Sequence, residues 1–361
     1  MTISCEEQKL NLALSLIINS GEISDKPDNI KVIECDINKS LKNSKATTDK
    51  FSMVWGPAIF LIDETSHDKK YDHVVMIVKN IDNPSDYRIV IRGTWSKINE
   101  FDEDLHVSKT VDWSNWDTNI PQEFKDAKIS HGTDLALTSL INGCPLNEDN
   151  EPLIDKINKI IKEEGQNKIL NITVTGHSLG GLLASTIGLY LKRKYLHEEN
   201  NNIRIQVCTF AAPTAGNDIF ASYSDSVFKG TLGPDSYESN FLRIHNNHDI
   251  VPLAWAKHDL KKIEKLYPIL IIGVEIYIHK THHINYTQLS PEFSFSEKLN
   301  KHQNLLDSIG FQHINAYPKY YKMTYKEIHG NLPIPTGCDI VVVDNNLSKH
   351  IHDCFSSLIK D

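Results

Sequence analysis

The 361-residue sequence predicts an α/β architecture, a mostly parallel central sheet flanked by helices, and three observations carry that reading. Short Val/Ile-rich runs alternate with stretches of helical periodicity, the pattern that parallel strands joined by helical crossovers require. The run KILNITVT at 168–175 is largely apolar along its length, as a strand covered on both faces must be. It passes straight into a glycine-flanked turn, GHSLGG at 176–181, and from there into a helical pattern.

The elements follow in order. MTISCEEQKLNLALSLIINSGEIS has apolar residues at helical spacing and reads as a first amphipathic helix, without the basic leader and small-residue cleavage site of a secretory signal. Residues 24–52 are rich in Lys, Asn and Asp and poor in apolar periodicity, so they are expected to form a connecting segment. The main fold then begins near Val54. YDHVVMIVKN and YRIVIRGT flank the turn signal Asn83-Pro84-Ser85-Asp86 and predict two neighbouring strands. Leu153, Ile154, Ile157, Ile160 and Ile161 recur at three- and four-residue steps before Gly165, which predicts a helix over 152–164. Beyond the glycine turn, Leu182 to Tyr195 reads as a helix, and RIQVCTF, FLRIHN and LIIGVEIYI read as strands. A last β-like run, CDIVVVD, has no evident place in the sheet. The expected division is 1–50 for the first helix and connecting segment, 51–325 for the main domain, and 326–361 for a C-terminal extension packed on it.

Composition narrows the function classes. Charged residues make up 24% and apolar residues 40% of the chain, enough apolar material for a sizeable core. The formal charge of −9 argues against nucleic acid and against strong attraction to anionic bilayers. The six cysteines lack any CxxC pair, so neither a zinc site nor a disulfide framework is indicated. The longest apolar run, Tyr267 to Ile278, contains Glu275 and falls short of the roughly 20 residues of a membrane span. The expected location is the cytoplasm, or outside the cell by a route without a cleaved signal.

Gly176-His177-Ser178-Leu179-Gly180 matches GxSxG, and its value comes from lying between a predicted strand and a predicted helix. A serine on such a turn is held in a strained conformation that lifts its oxygen into the open, as in the α/β-hydrolase fold. At the helix start the N–H of Leu179 lacks an internal partner and can stabilise an oxyanion. A serine hydroxyl is a weak nucleophile, so it needs a histidine base and a carboxylate that orients the base. In open α/β sheets the working loops lie beyond the carboxyl ends of strands. FLRIHN followed by NHDIVP puts Asp249 in such a loop, while 17 histidines leave the base open on chemistry alone.

GHSLGG, FAAPTAGN at 210–217, HDIVP at 248–252 and IRGT at 91–94 together resemble the class 3 (fungal-lipase-like) lipases. VWGPA at 54–58, IRGTWS, DEDL at 102–105, HGT at 131–133 and QHINAYP at 312–318 resemble a bacterial branch of that family. The resemblance implies that Asp249 is the acid, that His313 is the base, and that Thr94 supplies a second oxyanion donor. His282 or His283 in KTHHINY is the competing base. It further implies a lid over 96–106, where Ile98, Phe101 and Leu105 would form one apolar face on an acidic segment; a surface helix packed permanently on the core is the alternative reading of that segment. The family often carries a histidine before the glycine of its next strand, where this chain has Ile272 before Gly273.

The expected activity is hydrolysis of carboxylic ester bonds of lipids by Ser178, with His313 and Asp249, through an acyl-enzyme. No cofactor and no metal are implied, and His279, His282 and His283 read as solvent-facing residues after a strand. The expected partner is a lipid or other acyl ester, met in transient contact with a lipid interface. An acyltransferase and a non-catalytic lipid-binding module are the alternatives. A histidine base must be neutral to accept the serine proton, so activity should fall on acidification. A rate–pH profile flat down to about pH 4 would exclude a histidine base.

Overall fold

The computed structural model describes residues 3–21, 29–60, 73–93, 106–147, 151–165, 168–196, 202–231, 237–299, 304–330 and 332. Its centre is a seven-stranded sheet of β1 (Phe51–Phe60), β2 (His73–Asn80), β3 (Asp86–Ile91), β4 (Leu170–His177), β5 (Ile203–Phe210), β6 (Phe241–Asn246) and β7 (Glu292–Phe295). Spatial order follows chain order from β1 to β7. β1, β2 and β3 pair antiparallel, and every pairing from β3 to β7 is parallel. β4 and β5 at the middle are buried at nearly every position because helices cover both faces there.

The helices are α1 (Cys5–Ile17), α2 (Asn29–Asn43), α3 (His131–Leu137), α4 (Leu153–Glu164), α5 (Leu179–Leu196), α6 (Asp218–Phe228), α7 (Lys257–Leu266), α8 (Ile271–Thr281), α9 (Leu305–Gly310), α10 (Ala316–Tyr320) and α11 (Tyr325–His329). One core gathers the α3, α4, α5 and α6 side chains against Val75, Ile89, Val174 and Val207 of the sheet. The other face carries α1 and α2, together with Tyr317, Tyr321 and Ile328 from the C-terminal helices. Ser4 and Glu7 form a capping box that fixes the start of α1. The helix then runs across the sheet, where the Ser15 and Thr175 hydroxyls meet at 3.2 Å. Among the described residues no helix is long and apolar enough to cross a membrane.

Two sequence expectations are corrected. The connecting segment expected at 24–52 contains helix α2, whose Ile33, Ile37 and Leu41 fall four residues apart and are buried. That stripe is one residue wide, and the Lys, Asn and Asp residues that mask it in the sequence occupy the solvated remainder. The strand expected over 270–278 is instead the last residue of a short turn and most of α8. There Leu270, Val274 and Ile278 face inward at four-residue steps, packed with Leu260, Ile263 and Ile309, so tertiary contacts override a β-branched run. The histidines His279, His282 and His283 consequently lie at the C-terminal end of a helix, where partial negative charge accumulates, and not after a strand. CDIVVVD lies outside the described residues, as does nearly all of 326–361 beyond α11.

Burial sets an acid limit on this fold. His73 is 2% exposed with neither ring nitrogen hydrogen-bonded, and desolvation pushes it down to about 4. His329 is also held at about 4 by burial, and its Nδ1 lies 3.1 and 3.2 Å from the Ser20 and Ser40 hydroxyls, which are 2.7 Å apart. An unfolded histidine takes up its proton near pH ~6.5, whereas these two resist protonation until much lower pH. Their contribution is therefore complete above the unfolded value and lost as pH falls toward about 4. The loss amounts to about 2 kcal/mol per histidine at about pH 5. Tm should drop across that interval, and His73→Leu should flatten the drop. An unchanged slope in that variant would show that His73 is not a source of the acid lability.

Candidate active site

Strand β4 ends at His177, and the chain reverses at Ser178, whose φ of 60° lies in the left-handed region that a side chain ordinarily avoids. The turn holds because its backbone is bonded on both sides. The Ser178 N–H donates to the Phe210 carbonyl at 2.9 Å, and the Ser178 carbonyl accepts from Gly181 and Leu182 at 2.9 and 3.2 Å. Sterics explain the glycines. A Cβ on Gly176 would lie 2.2 Å from the Gly180 carbonyl oxygen, and one on Gly180 would lie 2.3 Å from the Ile91 oxygen. Any side chain at either position would lift α5 off the sheet and displace the serine.

Asp249 sits on the loop after β6, fully buried, with its N–H bonded to the Asn246 carbonyl at 3.0 Å. Its carboxylate is nevertheless fully engaged. Oδ1 accepts from the Val251 N–H at 3.0 Å, while Oδ2 accepts from Tyr317 Oη at 2.8 Å and from His313 Nδ1 at 2.9 Å. His313 lies on a wide π-helical turn, Phe311–Asn315, and its Nε2 is 3.0 Å from Ser178 Oγ. A carboxylate can only accept, so the imidazole proton belongs on Nδ1 and Nε2 is free to accept from the serine. The structure thus brings Ser178, His313 and Asp249 into one hydrogen-bonded line. His283 instead bonds the Ser108 carbonyl and His282 the His279 carbonyl, away from that line.

Three further side chains support the line, none of which sequence reasoning singled out. His177 is buried, and its Nε2–H donates to the His313 carbonyl at 2.8 Å while the two rings stand 4.7 Å apart. Burial, reinforced by the neighbouring His313 ring, pushes His177 down to about 3, so it remains a neutral donor. Tyr317 is buried, and desolvation with the adjacent Asp249 carboxylate holds its phenol well above the usual value, so it too stays a donor. Its oxygen accepts from the Asn246 N–H at 3.1 Å, which clamps the end of β6 to the C-terminal helices. Arg243, 3% exposed, reaches the Pro252 carbonyl, Glu292 Oε2 at 2.7 Å and the Ala212 carbonyl at 3.4 Å, bracing the Asp249 loop from below. The signal for His177 was present in GHSLG as the residue before the serine, and that for Tyr317 in QHINAYP, four residues after the histidine.

The Leu179 N–H begins α5 beside Ser178 and has no carbonyl acceptor among the described residues, so it is available to an oxyanion. Thr94 and residues 94–105, which include nearly all of the expected lid, lie outside the described residues. The strand leading to Thr94 is anchored. Arg92 donates to the carbonyls of Asn19, Ser20 and Gly21 at the end of α1, and the Gly93 N–H bonds Asn19 Oδ1 at 3.2 Å. A Cβ on Gly93 would lie 3.4 Å from Ser178 Cβ, so this strand end borders the serine. Among the described residues no group of three or more His, Cys, Asp or Glu is placed to hold a metal ion.

Residues 88–258 match the family described as lipase (class 3), a span that includes Ser178 and Asp249 and ends before His313. Among solved structures the chain is similar to the M37 lipase crystal structure, with a TM-score of 0.74 and 25% identity, covering 96% of this chain and 99% of that one. A curated relative, phospholipase A1-Igamma2 (chloroplastic) of Arabidopsis thaliana, is 31% identical over 106 residues. The match takes in 28% of this chain and spans only 18% of that relative's length. With its largely parallel sheet and flanking helices, the chain has the α/β-hydrolase fold.

A Phe side chain fills the same space and removes only the hydroxyl, which meets both Asp249 Oδ2 and the Asn246 N–H. Tyr317→Phe should lower kcat by about 10- to 100-fold with little change in KM, the effect of losing a hydrogen bond to a charged acceptor. Steady-state kinetics on a soluble ester would measure it, and an unchanged kcat would remove Tyr317 from the positioning of Asp249.

Proposed function

We propose that the chain is a serine hydrolase that cleaves carboxylic ester bonds of lipids, of lipase or phospholipase A type, with Ser178 as nucleophile, His313 as base and Asp249 as acid. The observation that carries this reading is the continuous line from Ser178 Oγ to His313 Nε2 and from His313 Nδ1 to Asp249 Oδ2, at 3.0 and 2.9 Å. A lipid substrate is supported by the class 3 lipase match, the similarity to a solved lipase and the phospholipase-named relative. The bacterial branch of the family is supported by VWGPA, IRGTWS, HGT and QHINAYP.

In this mechanism Ser178 Oγ attacks the acyl carbonyl carbon while His313 Nε2 takes the hydroxyl proton. The carbonyl oxygen becomes an oxyanion, stabilised by the Leu179 N–H and by Thr94, which follows the anchored strand end beside Ser178. Collapse breaks the ester C–O bond, and His313 delivers its proton to the departing alcohol. Water, deprotonated by the same nitrogen, then attacks the acyl carbon; the acyl C–Oγ bond breaks, His313 returns the proton to Ser178 Oγ, and the carboxylic acid leaves. Asp249 holds the tautomer and balances the imidazolium as it forms.

The test is hydrolysis of p-nitrophenyl esters of graded chain length by the parent, Ser178→Ala and His313→Ala. Both variants should lose at least about 10⁴-fold in kcat. Activity that survives His313→Ala would move the base elsewhere, and a parent inert on every ester would sink the reading. Adding alcohol or lysolipid acceptors separates hydrolysis from acyl transfer: free acid as the main product supports the hydrolase, and acylated acceptor as the main product identifies an acyltransferase.

A further inference from the structure

The α7–α8 hairpin, inserted directly after the Asp249 loop, carries an apolar apex that the fold does not use. Ile269, Ile271 and Ile272 are 76%, 49% and 59% exposed, three large apolar side chains within four residues. Their outward position is not the result of a failed core. The inward row of Leu270, Val274 and Ile278 is already packed against Leu260, Ile263 and Ile309. An exposed cluster of this kind has a desolvation preference that no contact among the described residues satisfies.

The helix that leads to the apex is basic on its exposed side. Lys257, Lys261 and Lys265 are exposed and lie four residues apart along α7. Lys262 is exposed as well and meets Asp259 at 2.6 Å. The two acids of the helix, Asp259 and Glu264, are half-buried, so the lysines dominate its outer side. The one exposed acid on the neighbouring part of α8 is Glu275. A chain of net charge −9 therefore carries a basic helix next to three exposed isoleucines. Lysine stems flank an apolar surface well, since their ammonium groups can reach a polar boundary while the aliphatic part stays in contact with it.

We infer that the apex of the α7–α8 hairpin is a docking surface for an anionic phospholipid membrane, with Ile269, Ile271 and Ile272 entering the acyl boundary and Lys257, Lys261 and Lys265 meeting lipid phosphates. An apolar tip bordered by lysines matches the two layers of such an interface, apolar below and negative above. A second copy of the chain is a poor occupant, because three isoleucine side chains cannot supply the about 800 Å² per partner of a stable dimer. Position gives the surface a purpose. Tyr267 at the hairpin turn donates from Oη to the His248 carbonyl at 3.3 Å, so the apex adjoins the residue before Asp249. A membrane seated there brings ester-bearing lipid to the rim of the site. That purpose rests on the lipid-hydrolase reading, whereas the docking itself does not.

The experiment is co-sedimentation of the full chain, as Ser178→Ala to prevent turnover, with phosphatidylcholine vesicles prepared with and without phosphatidylglycerol. Binding should favour the phosphatidylglycerol vesicles and weaken with added salt. On that background Ile269→Ser/Ile272→Ser and Lys261→Glu/Lys265→Glu should each weaken binding by about tenfold or more. All four positions are exposed, so both variants should keep the parent circular dichroism spectrum and Tm. Should one lose its fold, the other decides. Binding indifferent to lipid charge, binding unchanged in a folded variant, or self-association in place of vesicle binding would overturn the inference. An ester assay on the Ser178 parent separates the two readings, since vesicle binding through the apex with no esterase activity would leave the docking surface standing and remove the hydrolase.

Discussion

A carboxylate with no solvent exposure organises this molecule. Removing a carboxylate from water costs several kcal/mol even after relaxation, and only donors arranged around it can offset that cost. Asp249 meets the requirement with the Val251 N–H, the Tyr317 hydroxyl and His313 Nδ1. Two of these donors come from a segment more than sixty residues further along the chain, so satisfying one buried charge docks the C-terminal helices onto the end of β6. The same contact fixes the imidazole tautomer and aims Nε2 at Ser178. The docking of the C-terminal helices and the aim of His313 at Ser178 therefore depend on a single electrostatic obligation.

The serine side of the site depends on sterics instead. A left-handed φ at Ser178 is tolerated because α5 starts immediately after it and packs so closely that Gly176 and Gly180 have no room for a Cβ. Strain at the turn is offset by the backbone bonds to Phe210, Gly181 and Leu182. His177 joins the two sides. One residue before the serine, it donates to the carbonyl of the histidine that faces that serine, and burial keeps it neutral while it does so.

The N-terminal helices belong to this arrangement. α1 lies across β4, and the carbonyls of the turn that follows it receive the Arg92 guanidinium, which holds the end of β3 beside Ser178. α2 and α11 close the same face through the Ser20, Ser40 and His329 contacts. The Ser178 side of the site is thereby braced by elements at the beginning of the chain, and the Asp249–His313 side by elements near its end.

Much of this was legible in the sequence where the signal is local. The strand–GHSLGG–helix order and the Val/Ile runs of β2, β3, β4 and β5 encode the sheet, because a period of two or a fully apolar run states burial directly. Ser178 and Leu179 are readable for the same reason, since the glycines that permit the turn flank them. The histidine was not readable from chemistry, with 17 in the chain, and His313 was distinguished only by its resemblance to a family motif. What singles it out physically is a contact with Asp249 across 64 residues, which no local pattern contains. Likewise α2 was hidden because its apolar stripe is one residue wide, and α8 because a run of isoleucines fits strand and helix equally. The sequence by itself determined strands β2 to β6 and the glycine-flanked turn that holds the serine. Only the tertiary structure decided which histidine faces that serine and which isoleucines stay outside, because both depend on what distant segments bury.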